Sequence, residues 1–157
     1  MNQMKRWTGI IEALSFFSFL CVAMFFATTH AALPGRIAQG FLGKMDFARD
    51  AGTYMLVAFW LGVLCYSLLF LLKRFPRLMS YPVRLTPENM DFQARWSRLM
   101  LSIITLLCMC IVLFVIIELY LCAVNAKTSS SFLPVALLFG GIVASVVIYL
   151  VIARKHK

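Results

Sequence analysis

Residues 99–124 read LMLSIITLLCMCIVLFVIIELYLCAV, and Glu118 is the one charged side chain in the stretch. A helix needs roughly 18 or more apolar residues to cross the ~30 Å hydrocarbon layer of a bilayer, and this run exceeds that length. Three further runs have the same character. Ile10–Thr29 carries only Glu12, while Thr53–Leu72 and Phe132–Ala153 carry no charge. The whole chain of 157 residues is 62% apolar and 13% charged, with a mean hydropathy of +0.90. Soluble domains are about half apolar and a quarter charged, so this composition belongs with membrane proteins. What lies between the runs is too short to build a soluble core. The expected fold is therefore an all-α membrane protein of one domain, a four-transmembrane-helix bundle. Its spans are expected at about 10–29, 53–72, 99–124 and 132–153, joined by an outer loop (30–52), an inner loop (73–98) and a short outer turn (125–131).

The formal charge of +9 raises the question of an acidic partner, and the placement of the charges answers it. Eleven basic residues flank the runs on one side: Lys5, Arg6, Lys73, Arg74, Arg77, Arg84, Arg95, Arg98, Arg154, Lys155 and Lys157. Four lie on the other: Arg36, Lys44, Arg49 and Lys127. This is the positive-inside pattern, which predicts cytoplasmic termini and a cytoplasmic 73–98 loop. The basic residues set orientation and meet anionic headgroups of the bilayer, and nucleic-acid binding is not expected. The first run has a basic start and small residues at 29–31, as a signal peptide would. Its apolar stretch of about 20 residues exceeds the usual 7–15 of such peptides, so a retained helix is expected.

Little in the chain points to catalysis. There is no GxSxG, HExxH, phosphate-binding loop or dinucleotide fingerprint, and no enzyme activity, metal or cofactor is expected. Cys21, Cys65, Cys108, Cys110 and Cys122 all fall inside the runs and read as small apolar filler. His30, Asp46 and Asp50 share the outer loop, but their irregular spacing is a weak cation signal. The two carboxylates inside the runs are more informative, because an intramembrane carboxylate is costly and often functional. Glu118 lies 19 residues beyond Leu99, about 28 Å along a helix, which puts it at the outer interface. Glu12 lies a turn or two from the inner interface, near Lys5 and Arg6. Both are expected to reach water or a basic neighbour, with an ion or ligand role as the alternative. Trp7, Tyr54, Trp96, Tyr120 and Tyr149 stand near span ends, where amphipathic rings favour the interface. Ala136, Gly140 and Ala144 recur every fourth residue, a spacing that lets helix backbones approach. Packing through that face is expected, within the bundle or against a second copy in a homo-oligomer.

The two longer loops carry recognisable motifs. In YPVRLTPEN (81–89), Thr86 can cap a helix with Pro87 at its first position, and Glu88 and Asp91 suit the positive end of the helix dipole. An inner-surface helix leading into the third span is expected, with Met90, Trp96 and Leu99 on its apolar side, Gln93, Arg95 and Arg98 on its polar side, and Trp96 and Arg98 at the headgroups. This stretch (Pro82, Leu85, Thr86, Glu88, Asn89, then Gln93 and the basic pair) resembles the cytoplasmic loop of a bacterial membrane family, the uncharacterised domain at the N-terminus of Sdp-type immunity proteins. The outer loop is similar to the same family in part. LPGRIAQGF (33–41) matches Leu-Pro-x-x-Ile-Pro-x-His-Phe at Leu33, Pro34, Ile37 and Phe41, and GKMD (43–46) matches Gly-x-x-Asp at Gly43 and Asp46. Ala38 stands in place of the family's second proline and Gly40 in place of its histidine, so no role resting on that histidine is expected.

The resemblance, over about residues 10–124, implies a small bacterial inner-membrane protein. It implies resistance to a secreted peptide toxin, met by the outer loop, and signalling through the inner loop by holding a repressor at the membrane. The competing class is a transporter, or an accessory or structural subunit of a membrane complex, with Glu118 contacting an ion or substrate. Transporters usually place polar groups or broken helices at the midplane. Here only Ser67, Thr105 and Ser145 stand there, which favours the binding class. The topology is directly testable. Reporter fusions after Ser80 and after Lys127 are expected to give opposite signals, and equal signals would refute the four-span arrangement.

Overall fold

The structure, a computed structural model, describes residues 2–29, 51–75, 89–125 and 133–155. They form four helices: α1 (Asn2–Thr29), α2 (Ala51–Arg74), α3 (Met90–Asn125) and α4 (Leu133–Lys155). All four are long and apolar enough to cross a membrane. α1, α2 and α3 cover their expected spans and α4 covers 133–153 of its own, and at the end rich in Lys and Arg each runs past it. That extension is most marked in α3, whose 36 residues reach about 54 Å, well beyond the hydrocarbon thickness. Continuing as helix keeps every backbone group bonded where the chain leaves the apolar layer. Lys73 and Arg74 close α2, and Arg154 and Lys155 close α4, where cations favour the negative end of the helix dipole.

α3 is the hub. It packs against α1, α2 and α4, whereas α1 and α2 meet over a narrower seam and α4 leans chiefly on α3. The helices alternate in direction, so the ends of α1 and α3 that begin the helices lie with the closing ends of α2 and α4, here termed the basic end. At the opposite end Val22, Met55 and Ile116 are fully buried, with Phe25, Phe26, Phe59, Val112 and Leu113 packed around them. Two ring pairs fix the register of α1 against α2: Phe26 stacks on Phe59 at 4.3 Å, and Phe19 stacks on Tyr66 at 4.7 Å. Outward-facing side chains of α1, α2 and α4 are largely hydrocarbon: Phe17, Trp60 and Leu137 are each more than half exposed. A soluble domain does not present such a surface, whereas a bilayer solvates it.

Of the two packings expected for the small-residue face of α4, within the bundle or against a second copy, the structure excludes the first, and the reading of Tyr149 also changes. Ala136, Gly140 and Ala144 are not packed within the bundle, and a Cβ on Gly140 would meet nothing within 4 Å. The face that α4 turns to α3 is the adjacent one, with Gly141 near Leu107 and with Tyr149 and Ala153 buried. Tyr149 is accordingly a packing residue rather than an interfacial one.

Among the described glycines the closest approach lies elsewhere, at Gly62 of α2. A Cβ there would stand 2.8 Å from Val112 Cγ1, and valine's branched side chain has few rotamers into which to retreat. Gly62→Val is therefore expected to destabilise the bundle by about 1–3 kcal/mol in detergent unfolding. Gly140→Val, placed in open space, is expected to have little effect, and equal losses at both sites would contradict this packing.

Candidate functional site: a charged recess at the basic end

Near the basic end, polar groups replace rings between the helices. Ser15 on α1 and Ser102 on α3 are both buried. Ser15 Oγ lies 2.8 Å from the Ile11 carbonyl and 3.4 Å from that of Ser102. Ser102 Oγ lies 2.9 Å from the Arg98 carbonyl and 3.3 Å from Glu12 Oε1. Each hydroxyl has a single proton, and the shorter distance in each case is to a carbonyl of its own helix. Each therefore donates mainly within its own helix, and Glu12 is held only loosely by Ser102.

The register of the α1–α2 seam explains what stands beside Glu12. Phe26–Phe59 and Phe19–Tyr66 are separated by seven residues, two turns, on each helix. Two turns further on, the same register brings Glu12 level with Lys73. In place of a third ring pair there is a recess of about 380 Å³, bordered by Glu12, Tyr66, Lys73, Arg74 and Arg98. A second hollow of about 300 Å³ lies on the other side of Glu12 and Arg98, against Met4, Thr8 and Arg95. Lys73, Glu12 and Arg98 line the same recess. Three cations thus face one carboxylate around the larger recess. Among the described residues the one salt bridge is Arg95–Asp91 (3.6 Å), a partly exposed pair one turn apart on α3 that contributes little. Glu12, Lys73, Arg74 and Arg98 form none there.

The residues singled out from sequence are not gathered at this recess. Leu33, Pro34, Ile37, Phe41, Gly43 and Asp46 lie outside the described residues, as do His30, Asp50, Pro82, Leu85, Thr86 and Glu88. Asn89 sits in the turn before α3, and its carbonyl accepts the backbone N–H of Gln93. Gln93, expected on a polar, outward face, is instead fully buried. Its Nε2 donates to the Ala153 carbonyl at 3.2 Å, tying the start of α3 to the end of α4, where helix carbonyls lack intrahelical donors. Its Oε1 is buried without a hydrogen-bond partner among the described residues. Trp96 also departs from expectation, because its Nε1 is covered rather than presented to headgroups. Glu118 lies 25 residues beyond Gln93 on α3, about 38 Å away and near the opposite end. It is only partly exposed, and its Oε2 is covered and without a hydrogen-bond partner among the described residues, so it does not simply reach out to water. Cys21, Cys65, Cys108 and Cys110 are free thiols.

The recess is not legible as a unit in the sequence. Its cations are visible there only as topogenic charges, and Glu12 reads with its neighbours in the chain rather than with α2 and α3. The missing signal is the two-turn register between α1 and α2, which sequence alone does not supply. Compared with protein-family models, with curated proteins and with solved structures, the chain matches none.

The Gln93 bond gives a clear test of this end of the bundle. Gln93→Leu keeps much of the volume but removes the donor to the Ala153 carbonyl, and is expected to lower stability by about 1–3 kcal/mol. Protease accessibility at the C-terminal end of α4 should rise in parallel. Unchanged stability and accessibility would show that the bond does not hold α4 in place.

Proposed function

We propose that this chain is a multi-pass membrane protein of the binding and signalling kind, neither an enzyme nor a transporter. In this reading the basic end is cytoplasmic, and the outer loop meets a secreted peptide, as the resemblance to Sdp-type immunity proteins implies. The observation that carries the choice of class is the state of the mid-span hydroxyls. Ser67 donates to the Val63 carbonyl (2.8 Å), Thr105 to Leu101 (2.6 Å) and Ser145 to Ile142 (2.7 Å). Each spends its one proton on its own helix and has none to donate to a passing solute. Glu118 stands at the end opposite Glu12, so the two carboxylates do not form a relay.

Under this proposal the outer loop is the recognition surface. From the sequence, Leu33 and Pro34 are expected to fix the exit from the first apolar run, since proline restricts itself and the residue before it. Ile37 and Phe41 are expected from the sequence to serve as interface anchors, and Gly43 to allow a turn that presents Asp46. Such a site needs no cofactor. The test is to replace Asp46 and Phe41 singly with Ala, confirm normal membrane levels, and measure survival against, or binding of, the candidate peptide toxin. At least one variant is expected to lose protection. Unchanged survival and binding in both would remove the recognition role.

A further inference from the structure

We propose that the recess between α1 and α2 at the basic end is a site for the headgroup of an anionic phospholipid, with its phosphodiester held by Lys73, Arg74 and Arg98. The inference does not depend on the toxin reading above. It rests on the geometry of the seam and on the depth at which the seam opens.

The charge balance comes first. Lys73 and Arg98 border the same recess, Arg74 follows Lys73 in the chain, and one carboxylate stands opposite. Among the described residues none of the three cations is in a salt bridge. Like charges gathered at the edge of a low-dielectric layer repel, and a bound anion relieves that repulsion. Lysine and arginine are also the side chains that bind phosphate best, through charge-assisted hydrogen bonds.

Depth identifies the source of the phosphate. Lys73 follows the uncharged run of α2, and Arg98 immediately precedes the apolar run of α3. Both therefore stand at the boundary of the apolar layer, where headgroup phosphates lie, and basic pockets between transmembrane helices at that level bind anionic headgroups. The walls agree. Phe16 and Phe70 border the recess and are 52% and 53% exposed, so the same opening presents hydrocarbon for acyl chains. The stacked Phe19–Tyr66 pair lies at the next level of the seam and limits how deep a ligand can go. A free phosphate would use the cations and leave these rings without purpose.

Glu12 narrows the choice of headgroup. A carboxylate beside an anion site disfavours a bare phosphate, and it favours a headgroup that also offers a hydrogen-bond donor. A phosphoglycerol headgroup meets both demands, with its phosphodiester on the cations and a hydroxyl donating to Glu12.

The experiment is a lipid titration of the full chain purified in a neutral detergent, read by the thermal unfolding midpoint. Phosphatidylglycerol is expected to raise the midpoint saturably, while phosphatidylcholine, phosphatidylethanolamine and inorganic phosphate leave it unchanged. Arg98→Gln and the double variant Lys73→Gln/Arg74→Gln are each expected to weaken half-saturation about tenfold, the loss of one strong charge-assisted contact. Arg154→Gln, at the exposed end of α4, is expected to bind as the parent chain does. Should Arg98→Gln fail to fold, the double variant at the end of α2 decides the matter alone. Equal weakening in Arg154→Gln would show general attraction to a basic surface and overturn the site. An equal shift with phosphatidylethanolamine would overturn the anionic assignment, and one with inorganic phosphate alone would overturn the lipid assignment.

Discussion

Hydrogen bonding of polar groups inside their own helix is the constraint on which the rest of this bundle depends. A polar group left unpaired in hydrocarbon costs several kcal/mol, whereas a hydrogen bond between transmembrane helices contributes only about 0.6 kcal/mol on average. Avoiding the loss therefore outweighs seeking the gain. Ser15, Ser97, Ser102 and Thr105 are all buried at helix contacts, and each reaches back to a carbonyl three or four residues earlier. Because these side chains make few demands on neighbouring helices, α3 can accept helices on several sides. Shape does the rest, through Gly62 against Val112 and Gly141 against Leu107.

The bundle changes character along its length for the same reason. At the opposite end the contacts are rings and branched aliphatics, whose packing is directional enough to set a register. Stacked aromatic pairs add about 0.5–1.5 kcal/mol each beyond area burial in water, so two pairs on one seam count for more than any polar contact there. Towards the basic end the register persists but the rings give out. An aromatic side chain two turns before Phe19 would have continued the series; the chain has Glu12 at that place, and a cleft opens where stacking stops.

This division also explains what could be read from the sequence. The four helices were legible because nearly uncharged runs of about twenty residues have few other stable forms in a bilayer. Lys73, Arg74 and Arg98 were legible as boundary markers for the same reason. Partnerships between helices were not. Gln93 looks like a surface residue among Arg95 and Arg98, and only the arrival of Ala153 from far along the chain accounts for its burial. The small residues of α4 offered two adjacent stripes, and spacing alone could not say that Gly141 rather than Gly140 faces α3. Of the loop motifs, only Asn89, Gln93 and the basic pair Arg95 and Arg98 fall among the described residues, so the resemblance rests on the sequence.

The position of α4 has a consequence for how the chain assembles. The buried cluster of Val22, Met55 and Ile116 draws on α1, α2 and α3, and none of the side chains packed around it comes from α4. This apolar cluster is thus complete once three helices are in place, and the fourth docks onto a finished surface. Its docking is anchored at one extremity, where the Gln93 amide meets the Ala153 carbonyl. α4 is also the last of the four helices in the chain, so the order of synthesis and the hierarchy of contacts coincide. The contacts thus fall into two tiers, an apolar cluster built by three helices and a fourth helix held to it through α3.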